Sequence, residues 1–122
     1  MALTYDDGPG AHTERLLSTL RSKGARATFF MLGEQASRYP QVVRSVKNAG
    51  MEIGSHSWGH EQLTAMTPGA LRSDLSRTNQ TLSQLTGTPV RLVRPPYGAR
   101  TAQVDKVSGE LGMAEVLWDV DT

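Results

Sequence analysis

The chain is punctuated by five short apolar runs, and a helical period follows each of the first four. That alternation constrains the fold most, because strands separated by helices can lie side by side only as parallel βα units. Met1 to Tyr5 reads as a short extended run, closed by Asp6-Asp7 and by the loop-forming Gly8-Pro9-Gly10. Thr13 can cap a helix with Leu16, Leu17 and Leu20 on one face, ending at Gly24. Ala27 to Leu32 is continuously apolar and β-favouring, as in a strand buried on both faces. Pro40 begins a second helix with Val42, Val43 and Val46 inward and Gly50 at its end. Met51 to Ser55 is a third strand. Thr67-Pro68 is a cap and first turn, followed by Leu71, Leu75, Leu82 and Leu85 at helical spacing and by Gly87 as the stop. Leu92-Val93 is a brief strand ended by Pro95-Pro96, Thr101 to Leu111 a weaker helix, and Ala114 to Trp118 a fifth strand. No repeat, low-complexity tract or linker interrupts this pattern, so residues 1–122 read as one domain.

Composition removes several classes of function. Thirteen basic and twelve acidic side chains leave a net charge of +1, and no Lys/Arg run supplies the footprint of a nucleic-acid binder. No stretch approaches the ~18 consecutive apolar residues of a membrane span. The opening residues carry no basic and apolar segment of the signal-peptide kind. With no cysteine there is no disulfide framework, thiolate ligand or Cys nucleophile, so a metal must be held by His and carboxylate.

Parallel βα sheets bind ligands at the carboxyl ends of their strands. The residues just past those ends are Asp6-Asp7, His56-Ser57-Trp58-Gly59-His60, Arg94-Pro95-Pro96-Tyr97-Gly98, and Asp119 with Asp121. Asp-Asp-Gly-Pro alone is ordinary turn composition. On an extended backbone, however, adjacent side chains point opposite ways, so one carboxylate could ligate a metal while the other faces a water. A lone histidine is usually structural; two at i and i+4 after a strand can reach one ion. Ser57 in second place separates this pair from the His-Glu-x-x-His protease motif. With a carboxylate from another strand end, the pair makes a two-His, one-Asp set with open positions. Arg94 to Gly98 is a stiff loop whose bland reading is rigidity alone. Its functional reading makes Arg94 a carboxylate partner and the Tyr97 N–H a donor to a developing oxyanion. Trp118 reads as core, and Trp58, between the histidines, is open to ligand stacking. His12 reads as a surface loop residue.

Taken together these segments resemble the polysaccharide deacetylase family, the NodB-homology hydrolases of carbohydrate esterase family four. Thr4-Tyr5-Asp6-Asp7-Gly8-Pro9 is similar to its first motif, with Tyr5 for the more usual Phe. His56-Ser57-Trp58-Gly59-His60 resembles the second, His-Ser/Thr-x-x-His, and Arg94-Pro95-Pro96-Tyr97-Gly98 the third. The resemblance covers essentially the whole chain. It implies an α/β fold of parallel βα units forming a partial, distorted (β/α) barrel. It implies Asp6 as the general base that activates the attacking water, oriented by Arg94. Asp7, His56 and His60 would ligate one divalent metal, zinc foremost, with cobalt or another first-row ion as substitutes. The Tyr97 backbone N–H would be the oxyanion donor, and Pro96, Trp58 and Asp121 would contact substrate. The implied reaction removes acetyl groups from a polysaccharide or oligosaccharide, either an N-acetylglucosamine polymer such as chitin or peptidoglycan or an O-acetyl xylan. A secreted or envelope location follows by the same resemblance.

The family's fourth motif, Asp-x-x-Asp-Trp, begins at Asp121 and is cut after Thr122. The fifth, Leu-x-His, which supplies the general acid, is absent, and no histidine follows His60. The chain therefore reads as the N-terminal part of the domain. The expectation is weak turnover that favours activated esters over N-acetyl sugars, with self-association through the incomplete barrel. The competing readings are a non-catalytic metal- or carbohydrate-binding relic of the same family, and an unrelated α/β binding domain with accidental motifs.

Overall fold

In the computed structural model, which describes residues 1–121, five parallel strands alternate with helices. Strand β1 (Leu3–Asp6) leads to α1 (Thr13–Ser22), β2 (Ala27–Met31), α2 (Gly33–Arg38), α3 (Pro40–Asn48) and β3 (Glu52–Ser55). Helix α4 (Pro68–Thr86), β4 (Leu92–Val93), α5 (Ala102–Glu110) and β5 (Ala114–Glu115) complete the order. The strands pair in sequence order, each parallel to the next. Parallel strands laid down in sequence order, with every crossover returning over the same face, are the construction of a (β/α) barrel. The five strands here form part of one.

Register sorts the side chains onto two faces. Tyr5, Phe29 and Ile53 are partners across three strands, as are Asp6, Phe30 and Gly54 one residue later. The first row lies under the helices, where Phe29, Met31, Ile53 and Val93 pack with Leu17, Val43, Leu75 and Val104. The second row lies on the concave face. Phe30 is buried there outside that core cluster, beneath the Arg94 guanidinium at 4.4 Å. Gly54 leaves it room, since a Cβ at that position would stand 2.7 Å from the Phe30 ring. Thr67 caps α4 as its sequence position suggests, and Thr101, read from the sequence as the first residue of its helix, caps α5; they accept from the Ala70 and Val104 N–H groups at 3.2 and 3.3 Å.

Three expectations change. Thr13 is the first residue of α1, not its cap; His12 holds the cap position, and the Thr13 hydroxyl accepts the Gly10 N–H at 2.8 Å. Helix α2 was not legible: six residues with only Gly33 and Ala36 buried give no period. Strand β5 stops at Glu115, so Trp118 lies beyond it, 44% exposed rather than in the core.

Beside β5, the Arg100 guanidinium grips Asp105 with two bonds of 3.1 and 3.0 Å and reaches Glu115 at 3.1 Å. Burial, reinforced by the Asp105 carboxyl, pushes Glu115 from 4.5 to about 7, while the hydrogen bonds from Arg100 hold Asp105 below its ordinary value. The folded chain thus keeps a proton on Glu115 that the unfolded chain has already released. This contribution to stability is full below about pH 4.5 and is lost as pH rises through about 7. Glu115→Gln should remove that loss, on the order of 1–3 kcal/mol between about pH 5 and pH 8. The check is the urea midpoint as a function of pH. Parallel wild-type and variant curves would contradict it.

Candidate active site and metal centre

The chemistry gathers at the carboxyl ends of β1, β3 and β4. His56 and Arg94 continue their strands by one residue, with the His56 N–H donating to the Met31 carbonyl and the Arg94 N–H to the Ser55 carbonyl. Alternation then turns both side chains onto the concave face carrying Asp6. Asp7 behaves differently from the sequence expectation. Instead of extending and pointing away from Asp6, it takes a left-handed φ of 74°. The turn brings its carboxylate back toward the same histidines: Asp7 Oδ1 lies 3.3 Å from His56 Nε2 and 3.4 Å from His60 Nε2. Asp6 Oδ2 stands 3.9 Å from His56 Nε2.

His56 is the fixed member, with its side chain 3% exposed. Its Nδ1 lies 2.6 Å from the Arg94 carbonyl, so the proton sits on Nδ1, donating to that oxygen, and Nε2 is left as a lone-pair donor. Burial pushes the imidazole below its ordinary value, against the opposing pull of the Arg94 carbonyl and of Asp6 and Asp7. The ring is neutral, as a ligand must be. His60 is less enclosed, its ring edge-on to His56 and to Tyr97 with centroids 4.9 and 4.8 Å apart.

One donor atom each from Asp7, His56 and His60 lies within 4.8 Å of the others. Tetrahedral ligands about 2.0–2.1 Å from zinc stand roughly 3.3–3.5 Å from one another. The Asp7 to histidine distances have that spacing. The donor set also fits, being two imidazoles and a carboxylate with the carboxylate 65% exposed toward solvent.

Arg94, 3% exposed, organises the other half of the site. Its NH1 donates to Asp6 Oδ1 and to Thr4 Oγ1, both at 2.9 Å. Its Nε and NH2 donate to the Val116 and Leu117 carbonyls, both at 3.2 Å. Asp6 therefore has one oxygen held and the other 3.9 Å from His56 Nε2. A cleft of about 340 Å³, lined in part by Asp6, Asp7, His12 and Phe30, opens beside it. Tyr97 lies in a 3₁₀ turn over Pro96–Gly98 with φ 65° and is 67% exposed.

Asp6, Asp7, His56, His60, Arg94 and Tyr97 thus come together. Pro96 is buried, and Asp119 and Asp121 stand exposed beyond β5. The Trp58 ring carries the Arg77 guanidinium 3.6 Å from its centroid. Sequence reasoning missed Thr4, which shares the Arg94 fork, and the α4 residues that touch Trp58. Within the described residues no helix is long and apolar enough to cross a membrane.

Known proteins share this fold. The sequence model for polysaccharide deacetylases matches residues 1–116. The chain is 36% identical to a peptidoglycan-N-acetylglucosamine deacetylase of Bacillus cereus, over 100% of its own length and 45% of that protein's. It is 35% identical to a chitin deacetylase of Pestalotiopsis, over 99% of this chain and 42% of that one. The chain thus spans less than half of these curated relatives. It superposes on a family 4 carbohydrate esterase from Streptomyces lividans, solved with acetate, at a TM-score of 0.95 and 40% identity. That likeness covers 98% of this chain and 62% of the other. By its strand order, its three loop motifs and this match along nearly its whole length, the chain belongs to the polysaccharide deacetylase family.

Proposed function

We propose that this chain is a hydrolase that removes acetyl groups from a polysaccharide, using one divalent cation held by Asp7, His56 and His60. The observation that carries the reading is Asp6, fixed by Arg94 beside the three donors. A site that only stored metal would not need a second, separately oriented carboxylate. A bound divalent cation supplies a Lewis acid for the acetyl oxygen and eases deprotonation of water near it. Zinc suits two imidazoles and a carboxylate, and cobalt or another first-row ion can replace it.

The chain's own residues do the rest. His56 offers Nε2 because Nδ1–H is committed to the Arg94 carbonyl. Asp6 accepts the proton of the attacking water at Oδ2, its Oδ1 being held by Arg94, and that proton passes through solvent to the departing sugar nitrogen or oxygen as its bond to the acyl carbon breaks and acetate is released. The Tyr97 N–H, set by its left-handed backbone beside His60, donates to the acyl oxygen as that oxygen gains charge. The relatives named for peptidoglycan and chitin favour an N-acetylglucosamine polymer over an O-acetyl xylan, and with it a site of action in or outside the cell envelope. Pro96, Trp58 and Asp121 remain candidate sugar contacts. Burial of Pro96 and the Arg77 cap on Trp58 favour roles in shaping the loops for the first two.

The test pairs metal analysis with acetate release from N-acetylglucosamine oligomers and from an activated acetate ester. One equivalent of a divalent ion is expected. His60→Ala should lower affinity by more than the roughly 10–100-fold typical of losing a hydrogen-bond partner of a ligand. Reconstituted protein holding less than about a tenth of an equivalent would overturn the metal reading. Stoichiometric metal without release of acetate from either substrate would leave a binding role instead.

A further inference from the structure

The loop from His56 to His60 carries both imidazoles on an unusual backbone. Ser57 and His60 have φ of 73° and 66°, a left-handed region that residues other than glycine rarely occupy. A loop of this kind keeps its shape where its surroundings over-determine it. Here two helices do so. At the start of α2, the Gly33 N–H donates to the Ser57 carbonyl and the Glu34 N–H to the Trp58 carbonyl, both at 3.0 Å. From α4, Asp74 Oδ1 accepts the Trp58 N–H at 3.2 Å, and the Arg77 guanidinium lies 3.6 Å over the indole. Gly33 has to be a glycine, since a Cβ there would stand 2.4 Å from Trp58 Cε3. Inside the loop the Ser57 hydroxyl accepts the His60 N–H at 3.0 Å.

Trp58 is therefore held at its N–H, its carbonyl and its ring, midway between the two histidines. The α4 contacts come from residues that belong to neither the donor set nor the apolar core, which α4 enters through Leu71, Leu75 and Leu82. A hydrogen-bonding carboxylate directed at a backbone N–H, with a cation stacked on the adjoining ring, restrains the peptide in both position and rotation.

We propose that Asp74 and Arg77 are positioning residues for the metal centre: from α4 they lock Trp58 and so hold the His56 and His60 imidazoles at the spacing one divalent cation takes. The inference rests on the metal reading above. Asp74→Ala frees the Trp58 N–H, and the two left-handed residues relax toward commoner conformations. The imidazoles then have to be gathered again at the moment of binding. Outer partners of this kind typically control affinity by about 10–100-fold. Asp74→Asn keeps an acceptor oxygen in place and restores most of it.

The experiment strips the 122-residue chain of metal. It then titrates zinc against a chromophoric chelator in wild type, Asp74→Ala, Asp74→Asn and Arg77→Met, and records thermal unfolding of each metal-free protein. The expected result is a loss of about tenfold or more in zinc affinity for Asp74→Ala, near-wild-type affinity for Asp74→Asn and a smaller loss for Arg77→Met. The metal-free melting temperatures should stay close together. Wild type that binds zinc no more tightly than Asp74→Ala overturns this inference alone. A fall in the metal-free melting temperature at unchanged affinity does the same, because it assigns Asp74 to folding. Should Asp74→Ala not fold, Arg77→Met decides, and wild-type affinity in that variant overturns the pairing. Wild type that takes up no zinc overturns the metal reading and this inference together.

Discussion

Asp6→Asn is expected to lower turnover by about 10²–10⁴-fold, the usual worth of general acid–base catalysis, while leaving metal affinity close to wild type. The substitution is nearly isosteric. The amide oxygen can still accept from Arg94 NH1, now 2.9 Å from Asp6 Oδ1, so the fork and the strand ends it joins persist. What disappears is basicity, since an amide oxygen or nitrogen does not take a proton from water at neutral pH. Metal should stay because Asp6 is outside the cluster of donor atoms contributed by Asp7, His56 and His60. Measuring kcat and metal content on the same preparation separates the two roles. Loss of metal in Asp6→Asn, with metal retained in Asp7→Asn, would reverse the assignment of the two carboxylates. Both retained, with turnover unchanged, would place the base elsewhere.

That separation of roles was only partly legible in the sequence. The strand ends could be read because each apolar run is short and stops at residues that cannot continue it, as Val93 does before Arg94-Pro95-Pro96. Once the strands are parallel, the chemistry has one place to be. The convergence of Asp6 and Asp7 was not legible, because it depends on the left-handed turn at Asp7. Alternation along a strand predicts divergence, and the chain leaves the strand one residue too soon for that rule to apply. Helix α2 was hidden for a similar reason. Its position is set by bonds to residues distant in sequence, with the Leu32 N–H donating to the Gly8 carbonyl and the Gly33 N–H to the Ser57 carbonyl. Asp74 and Arg77 lie off the Leu71, Leu75 and Leu82 stripe of α4, and nothing in the sequence marks them. Only the folded chain brings Trp58, sixteen residues from Asp74, against them.

Arg94 should give the largest combined effect on stability and turnover of any single substitution in the site. Its guanidinium joins three separate parts of the chain: Thr4 and Asp6 at the end of β1, its own strand β4, and the carbonyls of Val116 and Leu117 after β5. Arg94→Met keeps an apolar stem over Phe30 and removes the charged fork. Breaking a buried pair by deleting one partner costs about 3–5 kcal/mol. The lower end applies here, because the Asp6 side chain is 29% exposed and water can partly replace the lost donor. A loss of about 3 kcal/mol corresponds to a fall in Tm on the order of 10 °C for a domain of this size. Turnover should fall as well, with metal affinity changed far less, since Arg94 meets His56 only through its backbone carbonyl and that contact survives substitution. Arg94→Lys discriminates between charge and geometry. An ammonium group supplies the same charge from a single point and cannot reach Asp6, Thr4 and two carbonyls at once. If the positive charge alone mattered, Arg94→Lys would restore both Tm and kcat, and the fork would carry no weight. If the planar fork is what sets Asp6, Arg94→Lys recovers part of the stability through one remaining contact and little of the turnover. The carboxylate would keep a counter-charge yet lose the bond that directs its second oxygen toward His56.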